Sequence, residues 1–138
     1  MAILLAFRVL SDEDEGRPVG WRDLSAQVGP LTILGSERRL IRKPSSLTRF
    51  LESAKAKRRP RAIDFSTRQL LLVSAGPRSS TGYAVEILSA RESDGKITVR
   101  VREQAPKLGE RVRARVTYPY RLISLPAGKD VYVDWIGR

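Results

Sequence analysis

Asp64–Ile87, DFSTRQLLLVSAGPRSSTGYAVEI, decides how the rest of the chain is read. Leu70, Leu71, Leu72 and Val73 form an unbroken apolar run, the pattern of a strand buried on both faces. Tyr83, Val85 and Ile87 then alternate with Ala84, Glu86 and Leu88, the two-residue period of a strand with one face inward. Between the runs lie the eight residues Ala75–Gly82, long for a tight hairpin. We read the stretch as a central hairpin whose long loop, held by two anchored strands, is a natural seat of function.

Downstream, Arg91–Gly95 is a turn in which Asp94-Gly95 suits positive φ. Lys96–Glu103 alternates Ile97, Val99 and Val101 with Thr98, Arg100 and Arg102. After Ala105–Gly109 a second alternating run sets Val112, Ala114 and Val116 against Arg111, Arg113 and Arg115. If these two strands pair as an antiparallel hairpin, Arg100, Arg102, Arg111, Arg113 and Arg115 share one exposed face. Arg121–Leu125 and Val131–Ile136 are further strands joined by a turn at Pro126–Asp130. Tyr118, Tyr120 and Trp135 are expected in the core or at its edge, because aromatic rings bury large areas.

Upstream, MAILLAF at Met1–Phe7 lacks the basic flank and the length of a signal peptide, so a first strand over Ile3–Leu10 is expected. No run approaches the roughly 20 apolar residues of a membrane span, and the protein is expected to be soluble as given. That leaves the cytoplasm, or the mature part of an exported protein, as its place. Ser11–Pro18 is an acidic loop without the ligand alternation of a calcium site. Trp21, Leu24 and Val28 mark a short helical turn over Trp21–Gln27 ended by Gly29-Pro30, and Leu31–Gly35 reads as a strand.

Between Arg38 and Arg61 the composition changes. Ten Arg or Lys stand there against Glu52 alone, so a net +9 sits in a segment of a chain whose total is +11. Leu47, Phe50, Leu51 and Ala54 recur at helical spacing, which predicts an amphipathic helix over about 46–58 with Ser45 or Ser46 as its N-cap and Pro60 as its stop. Lys55, Lys57, Arg58 and Arg59 fall at its C-terminal end, where cations complement the helix dipole, and Arg61 follows the stop. The same end, joined to the arginine face, is a candidate anion-binding patch for nucleic acid; without exposed aromatics it would contact phosphates and read no bases.

Over 138 residues, 41% hydrophobic and 30% charged, the chain has material for one core and shows no second domain. Cysteine and histidine are absent, which removes thiolate chemistry, disulfides, and the commonest general base and metal ligand. No cofactor and no metal are expected. A serine/lysine site drawn from Ser79, Ser80, Asp64 and Lys96 has no spacing that singles it out.

The Asp-Phe-Ser start, the aliphatic run and the Gly-Tyr close leading into Tyr-x-Val-x-Ile resemble the PrcB C-terminal-domain family, small bacterial domains named after an accessory subunit of a surface protease complex. The resemblance continues through Gly95–Glu103, Ala105-Pro106, Tyr118-Pro119-Tyr120 and Leu122–Pro126, covering roughly Ile63–Asp134. It implies a non-enzymatic interaction domain that associates with or stabilises a protein partner, a protease among the candidates. The first candidate contact is Ser79, Ser80, Thr81, Gly82 and Tyr83. Thr81-Gly82-Tyr83 is also similar to the Thr-Gly-Tyr tip of chagasin-like cysteine-protease inhibitors, although Ser79-Ser80 replaces the Asn-Pro before it and Val85 the Trp after it.

The expected architecture is mainly β, an antiparallel sandwich or strongly bent sheet of about seven to nine short strands with one helix. We expect one domain over 1–138, with N-terminal strands and the helix in 1–62 and the PrcB C-terminal-like β region in 63–136. The alternative function is a basic nucleic-acid binder using Lys55, Lys57, Arg58, Arg59, Arg61, Arg100, Arg102, Arg111, Arg113 and Arg115. Partner identity and oligomeric state are not encoded in any motif.

Overall fold

A computed structural model describes residues 16–137. The expected Ile3–Leu10 strand and the acid-rich part of the Ser11–Pro18 loop lie outside them. Among the described residues there are eight strands: β1 (Arg17–Pro18), β2 (Arg22–Asp23), β3 (Ser36–Ile41), β4 (Arg68–Ala75), β5 (Ala84–Ser93), β6 (Lys96–Gln104), β7 (Tyr120–Pro126) and β8 (Asp130–Ile136). Two short helices, α1 (Ser25–Val28) and α2 (Pro44–Ser53), complete them. The strands form two four-stranded sheets, β1-β5-β6-β8 and β2-β7-β4-β3, so the mainly β, largely antiparallel architecture read from the sequence is borne out.

β4 organises the molecule as its apolar run implies, because both of its faces are buried. Leu70 and Leu72 point to one side, where with Leu122 they meet Phe50, Leu51, Leu47 and Ala54 of the α2 segment and Val28, Leu31 and Ile33 ahead of it. Leu71, Val73 and Ala75 point to the other, where they meet Val85, Ile97, Val99, Val101, Val133 and Trp135 of the facing sheet. The result is three layers, helices on a sheet on a sheet. Burying one Leu fully is worth about 1.5–3 kcal/mol, and β4 does so on both faces at once.

The central hairpin is not formed. β4 pairs with β3 and β7, and β5 with β1 and β6, so the loop after Ala75 carries the chain from one sheet to the other. Two strong strands in succession look like a hairpin locally, but β4 already has neighbours on both edges. The hairpin lies one step later: Ser93 pairs with Lys96 across Asp94 and Gly95, at φ 52 and 75, a two-residue turn of the left-handed kind that Asp-Gly suits. A register shift between Ile87 and Ser89 then changes which residues face inward, from Val85 and Ile87 to Ala90.

The second alternating run also departs from expectation. Arg111–Val116 is exposed and in no strand; β6 instead pairs antiparallel with β5 and parallel with β8, Lys96 opposite Asp130 through Arg102 opposite Ile136. Alternation marks extended backbone, not a partner for it. Leu31–Gly35 is likewise no strand: Leu31 and Ile33 are buried beneath α2, and the Thr32 N–H donates to the Ala54 carbonyl in place of a ladder bond. The strand begins at Ser36 and carries Arg38 and Arg39. The helical turn expected over Trp21–Gln27 forms later, at Ser25–Val28, with Leu24 and Val28 buried.

α2 runs Pro44–Ser53 rather than 46–58. Proline stands at its first helical position, where a missing N–H costs nothing, and its N-cap is Lys43 without a side-chain bond rather than Ser45 or Ser46. Its end is a Schellman turn: Ala56 N–H donates to the Leu51 carbonyl and Lys55 N–H to that of Glu52, with Lys55 at φ 57 where glycine is usual. Lys55, Lys57, Arg58 and Arg59 therefore lie beyond the helix, not in its last turn.

Candidate functional site

The crossover loop does not stand free. The Arg78 N–H donates to the Thr117 carbonyl at 2.8 Å and the Thr117 N–H to that of Arg78 at 2.9 Å, an isolated antiparallel bridge. Thr81 N–H donates to the Arg113 carbonyl, and Arg113 N–H to the Thr81 hydroxyl at 2.9 Å. The Thr117 hydroxyl donates to the Ser80 carbonyl at 2.8 Å. The loop 76–83 and the segment 105–119 thus brace one another, and together they form one end of the sandwich.

Two features lock the brace. The Arg78 guanidinium grips both Glu103 oxygens at 2.7 Å, tying the loop to β6, and the bond to that carboxylate makes Arg78 hold its proton more firmly than an ordinary arginine. Gly82 sits at φ 98, and a Cβ there would lie 2.8 Å from Glu110 Oε2 and 2.8 Å from Pro106 Cγ, so only glycine fits.

Of the five sequence-predicted contact residues, Ser79 and Gly82 are exposed, while the Ser80 hydroxyl donates to the Thr81 carbonyl and Thr81 is held by Arg113. Tyr83 is half-buried, with Arg78 over its ring at 5.9 Å. It opens on two adjoining concavities of about 390 Å³ each that share Pro30, Tyr83, Tyr118 and Pro119, with Arg115 on one rim and Arg121 on the other. Beside them Tyr120 donates its hydroxyl to the Gly29 carbonyl, with the Ser25 carbonyl at 3.3 Å, closing the end of α1. Burial pushes that phenol up to about 12.

The ten residues of the anion-binding reading are dispersed. Arg102 pairs with Glu86 at 3.0 Å and Arg100 with Asp134 at 3.5 Å, both across strands. Arg111, Arg113 and Arg115 lie on the exposed bracing segment, outside the strands that carry Arg100 and Arg102. Arg59 donates to the Thr48 hydroxyl, the Arg58 guanidinium lies against Gly29, and Arg61 lines a separate cavity with Asp64. Lys55 and Lys57 are exposed. The basic run also does structural duty on β3 and just beyond it: Arg38 reaches the Val133 carbonyl of the other sheet, Arg39 covers Phe50, and Arg42 bonds the buried Gln69. Ser79, Ser80, Asp64 and Lys96 do not converge, for Lys96 begins β6 beside the end of β5, a strand's length of roughly 30 Å from the loop that precedes β5.

Sequence reasoning did not single out Arg78 and Glu103 as parts of this site, and it placed Tyr118 in the core or at its edge. No local pattern carries them; the residues meet only because β4 and β5 belong to different sheets.

Two four-stranded sheets with helices against one of them, and a crossover loop braced at one end, define the class of fold. Residues 70–126, from the start of the β4 apolar run to the end of β7, match the family model described as PrcB C-terminal, which bears out the resemblance read from the sequence over that segment. Neither a curated protein nor a solved structure matches the chain. Among the described residues no helix is long and apolar enough to cross a membrane.

Proposed function

We propose that this chain is a non-enzymatic protein-interaction domain that holds or stabilises a protein partner, with a protease as the first partner to test. The family to which residues 70–126 match supports an accessory role in a protease complex. The observation that carries the reading is the geometry of Tyr83: a loop pinned at Arg78, Thr81 and Gly82 delivers the ring to a groove floored by Pro30, Tyr118 and Pro119. A pre-ordered loop loses little entropy on binding, and tyrosine and proline surfaces suit an extended peptide segment. Arg115 and Arg121 on the two rims, on a chain of net charge +11, favour an acidic one.

The test is site-specific photo-crosslinking in cells that naturally make the protein. A crosslinker at Ser79, which is exposed beside the groove, is compared with one at Asp94 in the distant β5–β6 turn. The reading requires a protein adduct, a protease among its members, from position 79 alone, and its loss in Tyr83→Ala at unchanged thermal stability. The same adducts from both positions, or adducts only with nucleic acid, would overturn it.

A further inference from the structure

A second concavity, of about 700 Å³, lies away from the braced loop, between the β2 region and the segment that leads into β4. Trp21, Arg22, Asp23, Arg61, Asp64 and Arg68 supply its chemistry. Arg68 is held in place by neutral acceptors only: its Nε donates to the Ser124 hydroxyl at 2.7 Å, and one terminal nitrogen donates to the Ser124 and Gly20 carbonyls at 2.9 and 3.2 Å. Its nearest charged influence is Arg22, a like charge; burial first, and that neighbour second, both lower its hold on the proton.

The two carboxylates in the wall are turned to other donors. Asp23 accepts the Ser25 N–H and faces Arg121, and Asp64 accepts the Ser66 N–H and hydroxyl. None of the ion pairs among the described residues involves Arg22, Arg61 or Arg68. Arg22, paired opposite Ser124 of β7, and Arg68, bonded to the same Ser124, line one cavity whose wall also offers the Trp21 indole, 36% exposed. The Arg22 fork and the remaining terminal nitrogen of Arg68 suit a planar oxyanion, and an indole face matches a planar apolar body. A planar carboxylate that carries a ring uses both the guanidiniums and the indole, whereas inorganic phosphate uses the guanidiniums alone.

We propose that this cavity binds a small aromatic monocarboxylate, its oxyanion between Arg22 and Arg68 and its ring against Trp21. The test uses the full chain and its own fluorescence, since Trp135 is buried between the sheets and serves as a constant background. Benzoate should give saturable quenching that its neutral analogue benzyl alcohol does not reproduce. Arg22→Ala, at an exposed position, should weaken benzoate by about tenfold, the loss of one charge-assisted contact, while melting as the parent does. Trp21→Phe followed by calorimetry should keep binding but lose the quench. Equal responses to benzoate and benzyl alcohol, equal competition by inorganic phosphate, or undiminished benzoate binding by Arg22→Ala would each overturn the assignment.

Discussion

Arg78 and Glu103, 25 positions apart, meet in a two-pronged ion pair with both contacts at 2.7 Å. One belongs to the loop between the sheets and the other to β6, so the pair fastens the candidate recognition loop to the sandwich. Both side chains are mostly shielded from water, at 24% and 17% exposure, which places them above the surface ion pairs that contribute little. Arg78→Ala and Glu103→Gln should each cost about 1–3 kcal/mol, with a coupling of about 1–2 kcal/mol in the double-mutant cycle. Arg78→Lys should recover only part, because an ammonium cannot take both oxygens. Urea denaturation gives the energies, and hydrogen exchange should show 76–83 opening ahead of the rest.

Gly82→Ala should be more damaging than its size suggests. It forces a side chain into the left-handed region and against Pro106 and Glu110, for a loss of about 2–4 kcal/mol by thermal denaturation. A loss under about 0.5 kcal/mol would mean that the two segments are not braced as described.

Lys55→Gly should stabilise the protein. The Schellman turn ending α2 holds this lysine at φ 57, and glycine there relieves about 0.5–1 kcal/mol of backbone strain. Lys55→Val should move the melting temperature the other way.

Alkaline stability should depend on Tyr120. Its folded pKa is raised from 10.0 to about 12, so the native state keeps a proton that the unfolded chain gives up first. The associated stability is whole below pH 10 and falls as pH climbs through 10 towards 12. Denaturation midpoints measured across that window should drop, and Tyr120→Phe should flatten the dependence while losing the bond to the Gly29 carbonyl.

Arg111, Arg113 and Arg115 are exposed on the bracing segment, so reversing all three to Glu should change stability by no more than about 0.5 kcal/mol per site. Fluorescence anisotropy with mixed-sequence DNA should show binding by the parent that fades on adding salt, since the ten basic residues do not gather on one face. Affinity that persists near physiological salt would favour the nucleic-acid alternative.

Much of the fold was legible because local patterns decide it. The apolar run at Leu70–Val73, the alternation at Ile97, Val99 and Val101, and Asp94-Gly95 each carry their structure within a few residues. What the pattern does not carry is pairing. β4 and β5 are adjacent in sequence yet in separate sheets, and β8 joins β6 in parallel. β3 was hidden because Arg38 and Arg39, exposed on opposite faces of a sheet edge, make its composition read as a charge run. Of the candidate site, Ser79–Tyr83 was readable as a loop, whereas its brace depends on Arg78, Glu103, Arg113 and Thr117 converging over long separations.

The parallel pairing of β8 with β6 has a consequence for the order in which the protein is made. The β5–β6 hairpin closes through a two-residue turn, within microseconds of leaving the ribosome. Its open edge must then wait while the residues between Gln104 and Asp130 are synthesised, about one to five seconds at ordinary rates of translation. For that interval β6 presents a row of unpaired N–H and C=O groups, and Trp135 has not yet closed over the space between the sheets. β8 acts as a late seal, and a chaperone or strand-donating neighbour that meets the nascent chain in that interval finds the β6 edge unpaired.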